Sequence, residues 1–124
     1  VQCFGFARYV QTKLYGVNSY NSPNSFYQLS NSYVAAGRLT ASNLKCLIQS
    51  AGVGAHIRTN GSQHSMIITD VTDTGFSIIQ CNGSNNKEYS GHVACRIGTY
   101  TYTWDSYVSS TYGQRGLAFI EKIK

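Results

Sequence analysis

Charged side chains are scarce in this sequence. Asp and Glu number five against ten Lys and Arg in 124 residues, and all four types together make up only 12%. With 42% hydrophobic residues beside them, that scarcity excludes an intrinsically disordered chain, which is charge-rich and apolar-poor. No apolar run approaches the ~20 residues of a membrane helix, so no membrane span is expected. None of the four cysteines forms a C-x-x-C pair, which argues against a zinc site, and neither metal nor cofactor is expected. The net charge of +5 favours polyanions in general, but the cations are scattered from Arg8 to Lys124. They form no phosphate-tracking stripe, so no specific nucleic-acid partner is expected. Val1 opens the chain with no charged-then-apolar leader, so a processed or trimmed chain is expected.

What is abundant is Gly, Ser, Asn, Thr and Tyr, the last ten times, a polar but weakly charged surface that suits an extracellular protein. The length fits one domain spanning 1–124 with its own core, expected to be monomeric. Cys3, Phe6, Ala7, Val10 and Leu14 recur on one helical face, predicting a helix over 3–15 that Gly16 ends. A turn-rich stretch over 17–39 follows. Leu44, Leu47, Ile48 and Ala51 predict a second helix over 41–51, capped by Thr40 or Ser42 and stopped by Gly52. Cys46 lies inside it and reads as a buried or half-buried inert thiol. Beyond Gly54 the period becomes two. Strands are expected near 55–59, 64–71, 75–82, 95–103 and 117–123, with a short helical turn at Trp104–Tyr107. Helices followed by neighbouring short strands predict an α+β fold with an antiparallel sheet.

Three residues fit one chemistry. His64, Met66, Ile68 and Asp70 share a face of their strand. If 64–71 and 75–82 form a hairpin, counting across the ladder sets His64 opposite Asn82, with Gln80 one diagonal step away. An imidazole acting as base needs its second nitrogen held by an acceptor, which the Asn82 side chain supplies. Cys3 stands at a helix N-terminus, where the dipole favours a thiolate and free N–H groups can stabilise an oxyanion. Each has a duller reading: Cys3 as a small buried residue, His64 as a satisfied polar group, Asn82 before Gly83 as a turn residue. His56 and His92 are rival bases. His56 has no evident partner, and His92 falls in an expected loop.

Gln-Cys-Phe-Gly-Phe-Ala-Arg-Tyr-Val (2–10) resembles the nucleophile motif of CHAP-type cysteine amidohydrolases and peptidases, and of their NlpC relatives in the papain-like superfamily. Gln-His-Ser-Met-Ile-Ile (63–68) resembles the strand carrying the family's catalytic His, and Phe-Ser-Ile-Ile-Gln-Cys-Asn-Gly (76–83) the strand that orients it. The resemblance implies a papain-like fold, with Cys3 as nucleophile, His64 as base and Asn82 as orienting residue. It implies hydrolysis of an amide in bacterial peptidoglycan or a peptide, by a secreted or wall-associated protein. Gln80 departs from the family, many members of which carry Glu there, so the imidazolium lacks a charged partner. Ala-Gly-Val-Gly-Ala-His-Ile (51–57) replaces the family's common Pro-Gly-Asp. A disulfide between Cys81 and Cys95 is favoured over two unpaired thiols, although sequence does not fix connectivity. Two other functions remain open: a secreted protease acting on protein, and a non-catalytic glycan- or wall-binding module. In the module, Tyr100, Tyr102, Trp104 and Tyr107 would stack on sugars, although cross-strand packing explains their alternation more simply.

Overall fold

The computed structural model describes residues 3–61, 64–89 and 92–124, and their side chains except those of 3, 4, 82–89 and 92–96. Four helices and a six-stranded antiparallel sheet make an α+β fold. In chain order these are α1 (Cys3–Tyr15), β1 (Phe26–Gln28), α2 (Ala41–Ala51), β2 (His56–Arg58), β3 (Ser65–Val71), β4 (Gly75–Tyr89), β5 (His92–Thr103), α3 (Trp104–Ser109), α4 (Thr111–Gln114) and β6 (Phe119–Ile123). The sheet runs β1-β6-β2-β3-β4-β5, so the last strand inserts between the first two.

Strand alternation divides the sheet into two faces. On one, Ile57, Met66, Ile68, Phe76, Ile78 and Ile120 meet Leu44, Leu47 and Ile48 of α2 and Trp104 and Tyr107 of α3 in the main apolar core. The Thr40 hydroxyl caps α2 by accepting from Asn43 N at 3.1 Å, which satisfies an orphan donor of its first turn. α1 covers the opposite face. Its Tyr15 ring packs edge-on against Phe26, and the Tyr15 hydroxyl donates to Gly54 O at 3.1 Å. Gly54 has φ +94°, and a Cβ there would stand 2.1 Å from that hydroxyl, so no other residue fits without displacing Tyr15.

Six expectations are revised. Leu14 is exposed, and the buried stripe of α1 runs instead through Phe6, Ala7 and Gln11. Gln11 displaces the apolar residue because a carboxylate lies beneath it. Cys46 is a free, exposed thiol on the outer side of α2, one step off the Leu44–Leu47–Ile48 stripe. The 17–39 stretch contains a 3₁₀ turn, Pro23–Ser25, and a strand, Phe26–Gln28, because β6 offers it an edge. Asn82 and Gly83 continue β4, which extends to Tyr89 rather than turning, and His92 opens β5 rather than lying in a loop. The aromatic run splits by depth. Trp104 stacks on Phe76 at 5.6 Å and Tyr107 is fully buried, while Tyr102 packs against the core's edge and Tyr100 stays exposed.

Candidate functional site

His64 immediately precedes β3. Its carbonyl accepts from Thr59 N and its N–H donates to the Thr59 hydroxyl, each at 2.9 Å. This pair closes the loop from β2 and fixes the residue's backbone at the end of the sheet. The side chain is on the α2 face, the same side as Met66, and is only 4% exposed. Met66 pairs with Gln80 across the ladder, so Gln80 is the diagonal neighbour that reaches the ring. His64 Nε2 hydrogen-bonds with Gln80 Oε1. An amide oxygen only accepts, so Nε2 carries the proton and Nδ1 is left as the basic nitrogen. Gln80 thus holds one ring nitrogen of His64. The Asn82 side chain, like that of Cys3, lies outside the described residues.

The other partners of His64 come from far along the chain. The Tyr112 ring of α4 stacks on the imidazole at 4.2 Å with 7° between planes, and the Arg115 guanidinium lies 5.2 Å from the Tyr112 centroid. Burial pushes the His64 pKa below its ordinary value. The Gln80 bond opposes that fall, and the charges of Arg115 and Arg58 add to it. The imidazole is therefore held neutral, the protonation state a general base requires. No local signal marks Tyr112 or Arg115, since they reach His64 only through the placement of the short helices before β6.

A second histidine centre occupies the other face. His56 Nδ1 contacts Glu121 Oε1 at 2.8 Å and His56 Nε2 contacts the Ser65 hydroxyl at 2.8 Å. Glu121 Oε1 also accepts from Gln11 at 3.0 Å and from the Ser19 hydroxyl at 2.7 Å, and Arg58 donates to the Ser65 hydroxyl at 2.7 Å. Burial opposes the Glu121 charge, but the bonds from His56, Ser19 and Gln11 outweigh it and hold the carboxyl below the usual range. Carboxylate, imidazole and hydroxyl stand in the order of a nucleophilic triad, yet Ser65 has no exposed surface for a substrate to reach. The cluster pins α1 to the sheet. The partner that His56 lacks in its own neighbourhood is Glu121, 65 positions away.

Cys81 is buried and disulfide-bonded, and the side chains of Cys3 and Cys95 lie outside those described. Among the described residues no group of three or more His, Cys, Asp or Glu could hold a metal ion, and no helix is long and apolar enough to cross a membrane. No family model, curated protein or solved structure matches the chain.

Proposed function

We propose that this protein is a cysteine hydrolase of the papain-like, CHAP-type class, cleaving an amide bond of bacterial peptidoglycan outside the cytoplasm. The observation that carries the reading is the His64–Gln80 pair, a buried neutral imidazole whose Nε2–H is held by a fixed acceptor. The motif over 2–10 supplies Cys3 as nucleophile at the start of α1. In the reaction, His64 Nδ1 takes the thiol proton as sulfur attacks the carbonyl. It then protonates the leaving amine and activates the water that resolves the thioacyl intermediate. Gln80 takes the orienting role through its bond to the His64 Nε2–H. The disulfide at Cys81 fits an oxidising compartment. The sugar-stacking module is less favoured, because Trp104 and Tyr107 are spent on the core.

The test is iodoacetamide alkylation between roughly pH 4 and 9, read by peptide mass spectrometry in a Cys46→Ser background that removes the exposed thiol. Cys3 is expected to label well below the pH at which an ordinary thiol of pKa about 8.5 reacts, and His64→Ala is expected to abolish that advantage. Peptidoglycan digests then identify the bond. A free Cys3 requires Cys81 to be bridged to Cys95. A Cys3–Cys81 peptide in the unreduced map would end the hydrolase reading.

A further inference from the structure

A cleft of about 330 Å³ opens beside β1, lined by Ser19, Tyr20, Pro23, Phe26, Tyr27 and Gln28, with Glu121 among its walls. Glu121 is 6% exposed, and its three donors, from Gln11, Ser19 and His56, all converge on Oε1. Oε2 has no hydrogen bond among the described residues. The only fully enclosed side-chain polar atom without a partner there is the Tyr107 hydroxyl, so Oε2 keeps its contact with the cleft. The carboxyl is ionised at neutral pH, since its pKa is held below the ordinary range. A negative oxygen therefore sits in a cleft walled by two exposed tyrosines and the Phe26 ring, on a protein whose net charge is +5. The Tyr20 ring already takes a cation, with the Arg8 guanidinium 4.6 Å from its centroid.

We propose that this cleft binds an organic primary ammonium group, such as a lysine-type side chain or a free peptide amine, with the charge at Glu121 Oε2 and the alkyl stem against Tyr20, Tyr27 and Pro23. A carboxylate with an open lone-pair direction recognises N–H donors, and aromatic faces attract the same charge and shield it from water. An anionic ligand is repelled by Oε2, and a neutral donor can pair with it but without the added strength of opposite charge. Phe26 and Gln28 belong to β1, which is held by the β6 strand that carries Glu121, so the ring and the carboxylate form one rigid unit. The site does not depend on Cys3, and its binding is measured without turnover.

The experiment is an NMR titration of the wild-type protein with n-butylammonium chloride, with n-butanol as neutral isostere and sodium chloride as ionic control. Saturable shifts confined to Ser19–Gln28 and Glu121 are expected, with a Kd in the low millimolar range, on the order of 1–10 mM. Tyr27→Ala, a change at an exposed position, is expected to weaken binding roughly fivefold without altering the rest of the spectrum. Tetramethylammonium, which has no N–H donor, is expected to bind more weakly. Absence of saturation by about 100 mM, equal shifts with butanol, or unchanged affinity in Tyr27→Ala would each overturn the proposal.

Discussion

The two described histidine centres lie on opposite faces of one sheet and are built by opposite means. His56 is clamped between a carboxylate and a hydroxyl, and that carboxylate is also bonded to α1 and to the loop that follows it. His64 has a neutral amide on one ring nitrogen, an aromatic ring over its face and two guanidinium charges nearby. The first arrangement tolerates charge and spends it on holding elements together. The second suppresses charge on the imidazole.

The largest effect is expected from breaking the first centre. Glu121→Ala removes a buried acceptor from His56, Gln11 and Ser19 at once, and should cost about 3–5 kcal/mol in urea unfolding. His64→Ala, which removes no charge partner, should cost less. The Glu121 pKa is depressed on folding. Its contribution is therefore complete above the ordinary value of 4.5 and is lost as the pH falls through the lower folded value. Wild type should lose stability steeply at acid pH, and Glu121→Gln should flatten that limb. An equal acid limb in the variant would show that the carboxylate is not the anchor.

This contrast also marks what the residues alone could reveal. Local periodicity found both long helices and five of the six strands, since each depends on neighbours a few positions apart. It missed β1, whose three residues extend only because β6 pairs with them. It placed Gln80 beside His64 by simple hairpin counting, and the ladder pairs Met66 with Gln80 as that count requires. A long Gln side chain reaches across the diagonal where a shorter one would not. Glu121, Tyr112 and Arg115 could not be seen at all. They become neighbours of the histidines only when the chain's end threads back between β1 and β2, a long-range pairing with no local signature.

The second centre is sharpened by giving it the partner the first one has. In Gln80→Glu a carboxylate faces His64 Nε2, and the His64 pKa should move up. In wild type the folded value lies below the ordinary 6.5, so His64 favours folding above that pH and disfavours it progressively as the pH falls through the window beneath. With the carboxylate present the sign reverses. The imidazolium bond would contribute about 1.5–3 kcal/mol below the ordinary value and be lost as the pH rises through the elevated one. NMR titration of the His64 ring reads the pKa directly, and urea unfolding at several pH values reads the slope. A midpoint unchanged by the substitution would show that Gln80 does not govern this ring.

The smallest expected effect tests the polar bookkeeping of the two faces. Among the described residues no fully enclosed side-chain polar atom around His56 lacks a partner, while in the core on the His64 face the Tyr107 hydroxyl is enclosed with none, and burial drives its pKa well above the ordinary phenol value. A buried hydroxyl without a partner carries its desolvation cost uncompensated. Tyr107→Phe keeps the ring that packs on Phe76 and Tyr102 and removes only that oxygen. Stability should therefore rise, by about 0.5–1 kcal/mol, or at least not fall, whereas Ser65→Ala on the opposite face, which strips a hydroxyl shared by His56 and Arg58, should cost about 1–3 kcal/mol. A loss in Tyr107→Phe as large as that in Ser65→Ala would mean that the Tyr107 hydroxyl is bonded in solution, and that both faces are satisfied alike.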